Sequence, residues 1–109
     1  MPEEFFQAYL ACAEWAASDG TAEWASAYFA PETLAEMRLD CEAFYAGFAD
    51  LIDGNDRQAG HDFWLTRCGH GAGFWDGDWP EPAATLLTNA CKAIGNVDLY
   101  IGDDGMIHS

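Results

Sequence analysis

Basic residues are almost missing from this sequence. One lysine, Lys92, and three arginines stand against 19 acidic side chains, for a formal charge of −15 on 109 residues with the histidines neutral. A phosphate backbone would repel such a chain, which argues against DNA, RNA or anionic lipid as a direct ligand. Long apolar runs are missing as well: no window approaches the roughly eighteen residues of a membrane-crossing helix. The Met1-Pro-Glu-Glu start has no basic stretch of the kind that opens a secretory signal, so the expected location is the cytoplasm. No C-x-x-C pair occurs among Cys12, Cys41, Cys68 and Cys91, which removes the usual zinc and redox spacings. Two disulfides are possible on count alone, but a reducing compartment favours free thiols.

What is present is a core. Half of the residues are apolar and 15% are aromatic, too many for a disordered acidic tail. The length fits a single domain spanning residues 1–109.

Residues 2–18 read as a helix, with Pro2 in its first turn and Glu3 and Glu4 at its positive end. Phe5, Tyr9, Cys12 and Ala16 form a stripe at helical spacing. Residues 19–30 fit a short helix or a loop packed by Trp24, Tyr28 and Phe29. Pro31 opens a second helix to about Ile52, with Leu34, Met37, Cys41, Phe44, Tyr45, Phe48, Leu51 and Ile52 on one side. Leu39 falls on the opposite, acidic side. His61–Arg67 mixes aromatic and β-favouring residues and reads as a strand, returning through the glycine-rich turn at 68–73 to a second strand at Phe74-Trp75. Pro82 opens a third helix that Gly95 stops, with Leu86, Leu87, Ala90, Cys91 and Ile94 expected to face inward. Val97–Ile101 alternates as a strand, and Met106–His108 pairs back across Asp103-Asp104-Gly105. The expected fold is α+β: three helices and a small, mostly antiparallel sheet in the order ααββαββ. Cys12, Cys41 and Cys91 are expected to be buried, Cys68 to sit in a turn, most tryptophans to be core and Trp79 to be exposed.

A charge of this size costs folding free energy through self-repulsion, and solubility alone needs a magnitude of only about 2–8. A salt-adapted host would explain it, as would ordinary solvated helix faces. The alternative is that the acidity is the binding surface. Carboxylates four residues apart on a helix repeat about every 6 Å along its axis. Glu32, Glu36 and Asp40, extended by Asp50 and Asp53, can therefore resemble a phosphate row to a groove lined with Lys and Arg. Glu42, Asp56, Asp62, Asp76, Asp78, Glu81, Asp103 and Asp104 would widen the field. Such a surface binds a nucleic-acid-handling protein rather than nucleic acid, quickly at low salt and weakly at high salt.

Other motifs carry less. Gly69-His-Gly-Ala-Gly73 lacks both the Walker pattern and the dinucleotide fingerprint, and reads as a turn. His61, His70 and Asp76 would be the centre of a rival metal-dependent or histidine-based enzyme, but the Asp76-Gly-Asp78 stretch lacks the rest of an EF-hand loop. Cys68 and His70 lie too close in sequence for a usual Cys–His dyad. Arg67 is expected to form a structural salt bridge.

The stretch His61-Asp-Phe-Trp-Leu-Thr-Arg-Cys-Gly-His-Gly-Ala-Gly-Phe-Trp-Asp76 resembles the hallmark of a family of small acidic proteins of phages and mobile elements. Ala30–Arg38, Asp40-Cys-Glu42 and Val97–Gly105 are similar to the same family, whose pattern has Asn where this chain has Cys68. As a class, phage-borne acidic proteins of this size resemble DNA mimics that disarm host defence, among them anti-CRISPR and anti-restriction proteins. The resemblance implies a non-enzymatic inhibitor, without cofactor or metal, in the host bacterial cytoplasm, as a monomer or small homo-oligomer. Its implied partner is a basic DNA-binding host protein. A CRISPR-Cas effector subunit that reads short duplex DNA fits first, and a restriction enzyme or another DNA-binding enzyme second. Trp64, Gly69, Gly71, Gly73 and Trp75 are then expected to build the scaffold.

Overall fold

A computed structural model of the chain describes residues 1–18, 24, 27–69, 72–75 and 78–109. Its elements are α1 (Glu3–Ser18), α2 (Pro31–Ile52), α3 (Asp56–Arg67), α4 (Ala83–Ile94), β1 (Tyr100–Ile101) and β2 (Ile107–His108). The class is α+β, with four helices among the described residues and a two-stranded antiparallel sheet. None of these helices is long and apolar enough to cross a membrane.

Of the expected stripe of α1, Phe5, Tyr9 and Cys12 are buried, with Phe6 and Ala13 beside them, and Ala16 is half-buried against the core. Pro31 sits in the first turn of α2, where its missing N–H costs nothing. Thr33, Met37, Cys41, Phe44 and Ile52 face the core. Phe48 leaves helical geometry (φ −132°, ψ 18°) and kinks α2 before its last turn. Gly54, at φ 84°, lets the chain reverse within a few residues into α3.

The largest departure from the sequence reading is α3. Residues 61–67 form a helix rather than a strand, Phe74-Trp75 lies in a turn, and no hairpin joins them. The order is therefore four helices followed by two strands, not ααββαββ. The reason is burial. Asp62 to Arg67 are all buried, so no exposed face marks a helical period, and aromatic composition then mimics a strand. A helix closes its hydrogen bonds internally and can be enclosed on every side. Gly60 permits the close approach of α3 to α1, since a Cβ there would overlap the Phe5 carbonyl.

Aromatic rings fill the space between the helices. Phe44 stacks on Phe63 at 4.1 Å, Tyr9 meets Phe63 and Trp64, and Phe74 lies between Phe44 and Trp79. Three tryptophans depart from expectation. Trp79 is buried, because its indole Nε1 donates to Asp62 at 2.7 Å. Trp15 is 68% exposed and Trp75 54% exposed, so neither belongs to the core, and Trp75 is not part of the scaffold. Trp64 is buried as expected. Gly73 has φ 151° and packs where a Cβ would overlap the Thr66 hydroxyl, which also accepts the Phe74 N–H. Gly71 and His70 lie outside the described residues, as do residues 19–23, 25 and 26 of the expected loop.

The C-terminal hairpin has the expected partners but a shorter ladder, with Tyr100 opposite His108 and Ile101 opposite Ile107. Val97 to Leu99 make no ladder. Ile107 also bridges in parallel to Phe29, donating its N–H to Tyr28 O and accepting from Ala30 N.

Gly60→Ala is expected to cost about 3 kcal/mol by forcing α1 and α3 apart, measured by chemical denaturation against the wild type.

Candidate functional site

The surface charge follows from where the few cations go. Arg38, on α2, pairs with Glu3 at 3.0 Å and lies over the Phe6 ring at 4.2 Å. Arg57, on α3, pairs with Glu4 at 3.2 Å. Arg67, at the end of α3, pairs with Asp40 at 3.0 Å, and its side chain is only 4% exposed. The expected structural salt bridge of Arg67 is thus present. All three guanidinium groups fasten helices together, and Lys92 makes no ion pair among the described residues. Glu32, Glu36, Glu42, Asp50, Asp53, Asp78, Glu81, Asp98 and Asp103 are exposed, with no cation bridged to any of them among the described residues.

The predicted row on α2 is divided. Glu32 and Glu36 stand one turn apart on the outer side, and Glu36 accepts the Ser109 hydroxyl at 3.4 Å. Asp40 turns away from this pair to hold Arg67. Leu39, Glu42, Ala43, Ala46 and Gly47 are the exposed residues that follow. Asp50 and Asp53 come after the Phe48 kink, so the two acidic pairs do not continue along one straight axis. Asp103 and Asp104 lie together on the β1–β2 turn. Asp104 is engaged there: it accepts the Met106 N–H at 2.9 Å and His108 Nε2 at 3.0 Å, and these bonds hold its carboxyl below the ordinary aspartate range. Asp78 is exposed, and Asp76 lies outside the described residues.

The residues of the rival enzymatic centre are only partly described. His61 is exposed, with Nδ1 3.5 Å from buried Asp62. Asp62 itself is held by Gln58 and Trp79. No group of three or more His, Cys, Asp or Glu side chains is placed to hold a metal among the described residues. All four cysteines are free thiols, with Cys12, Cys41 and Cys91 buried as expected. Burial pushes the Cys12 and Cys91 thiols up to about 12, which leaves them unreactive at neutral pH.

Two features escaped the sequence reading. Tyr28 is 81% exposed on a backbone pinned by Ile107. Glu81 accepts both the N–H and the hydroxyl of Thr85, capping the start of α4 and lowering its own pKa. A carboxylate just before a helix is the signal that would have found the second.

Two outcomes follow. Asp40→Ala, which strands the buried Arg67 charge, is expected to cost about 2 kcal/mol in urea denaturation, whereas Glu36→Lys stays within about 0.5 kcal/mol. Because the folded-state pKa of Asp104 is depressed, its stabilisation is complete above the ordinary aspartate range and disappears as pH falls through the lower folded value. Denaturation of Asp104→Ala across a pH series is therefore expected to differ from wild type at neutral pH and to converge with it in acid.

Comparison with protein-family models, curated proteins and solved structures returns no match to the chain.

Proposed function

We propose that this protein is a DNA mimic of phage or mobile-element origin that occupies the DNA-binding cleft of a basic host protein. The target is a subunit of a CRISPR-Cas surveillance complex, with a restriction enzyme or another DNA-binding enzyme as the alternative. The observation that carries the reading is the engagement of all three arginines in ion pairs between helices, while nine exposed carboxylates, Glu81 among them, keep no cation among the described residues. Folding thus pairs the arginines within the chain, Arg67 in the core and Arg38 and Arg57 at the surface, and leaves these carboxylates unpaired.

Glu32, Glu36, Asp50 and Asp53 act electrostatically, each meeting a Lys or Arg that otherwise holds phosphate. Asp78 and Asp103 extend the field, together with Asp76. Asp104 contributes charge while it braces its own turn. Asp40 serves the fold first, since its carboxylate is bonded to Arg67. The reading needs no cofactor and no catalytic group.

The test is capture of the target from a host lysate at low salt, elution at high salt, and competition with duplex DNA. A DNA-binding protein displaced by duplex DNA supports the proposal, and a captured target indifferent to DNA overturns it. Combined Glu32→Lys, Glu36→Lys, Asp50→Lys and Asp53→Lys substitutions are expected to weaken binding at least about a hundredfold, because like charges then face the cleft. Circular dichroism of the same variant is expected to match the wild type.

A further inference from the structure

Trp75 borders a cleft of about 140 Å³ whose other walls are Glu81, Ala84, Thr85, Thr88 and Asn89. Its ring is more than half exposed. The backbone beside it is fixed: Phe74 is fully buried and gives its N–H to Thr66 Oγ1 at 3.0 Å. An aromatic face held at the edge of a cleft is therefore presented outward without serving the core.

The opposite wall is polar and incompletely satisfied. Thr88 is 8% exposed in the middle of α4, and its Oγ1 finds no hydrogen-bond partner. A helical threonine can bond the carbonyl one turn back; this hydroxyl does not, and it lies as an unused polar group just behind the wall of the cleft, out of reach of solvent. Glu81 supplies negative charge in a fixed position, bonded to Thr85 N at 2.9 Å and Thr85 Oγ1 at 2.8 Å. No cation pairs with Glu81 among the described residues.

We infer that this cleft receives one arginine side chain of a protein partner. A guanidinium is planar and positively charged, carries only donors, and is weakly enough hydrated to leave water for an aromatic face. Trp75 provides that face, and tryptophan is the best of the aromatic side chains for a cation. Glu81 provides the opposite charge, the Asn89 side-chain carbonyl accepts one donor, and rotation of Thr88 about χ1 turns its unpartnered hydroxyl into the cleft to accept another. Ligand clefts for drug-sized molecules run to about 300–1,000 Å³, so the volume here is on the scale of one side chain. That the arginine belongs to a basic partner rests on the proposed function; the preference for guanidinium does not.

The test is an NMR titration of the full chain with N-acetyl-L-arginine amide, run beside N-acetyl-L-lysine amide and free L-arginine at matched ionic strength. The capped arginine is expected to saturate, shifting the Trp75 indole N–H and the amides of Thr85, Thr88 and Asn89. It is expected to bind about tenfold more tightly than the lysine amide. Trp75→Ala abolishes these shifts. Thr88→Val weakens binding several-fold while raising Tm, because a methyl replaces an unpartnered hydroxyl. Shifts that do not saturate, that survive Trp75→Ala, or that leave affinity unchanged in Thr88→Val overturn the site. Tighter binding of free L-arginine than of the capped form overturns a protein source. Either failure leaves duplex-DNA competition for the target as a separate reading of mimicry.

Discussion

One guanidinium joins all four helices. Arg67, at the last turn of α3, donates to Tyr9 on α1, to Asp40 on α2 and to the Gly95 carbonyl that ends α4. It also lies over the Phe63 ring at 5.5 Å. Burial opposes its charge, and the bonds to Tyr9 and Asp40 more than offset that opposition. A buried cation of this kind specifies geometry, because an altered packing of any one helix would leave the charge short of a partner. The aromatic stack supplies area without much direction; Arg67 supplies direction.

The same interaction divides the acidic residues into two populations. Glu3, Glu4 and Asp40 belong to the fold, because each is the far end of an arginine contact. Asp62 belongs to it as well, buried under Gln58 and Trp79. The carboxylates left on the outer side of α2, Asp53 at the α2–α3 turn and Asp103 on the C-terminal hairpin have no such duty, whereas Asp104 braces its own turn. Net charge in the sequence does not separate these groups, although they differ in everything that matters for binding. A residue that holds a buried charge cannot be reversed without disturbing the core, whereas a solvated one can.

Much of the fold was legible because some segments keep one wet side. The stripe of α1, the bounds of α2, Gly95 at the end of α4 and the turn at 103–105 all follow from period, proline or glycine. α3 was illegible because it has almost no wet side, with His61 the only exposed residue after Gln58. Its start was hidden as well, since Asp53–Asp56 ends one helix and begins the next with only Gly54 and Asn55 between. The tryptophans were misassigned for a related reason: a distant carboxylate, Asp62, decides that Trp79 is inside, and no local pattern reports it. Of the acidic row, spacing placed Glu32 and Glu36 on one outer side, but it could not anticipate the bend at Phe48 or the turn of Asp40 toward Arg67.

The uncompensated carboxylates also set how the molecule answers to electrolyte. They repel one another across the folded surface, and dissolved ions shorten the reach of that repulsion to about 8 Å at physiological ionic strength. Screening therefore strengthens the native state at the same time as it loosens any grip on a cationic cleft. Under the proposed binding, stability and affinity move in opposite directions along a single axis, and the most robust form of this protein is then its least adhesive.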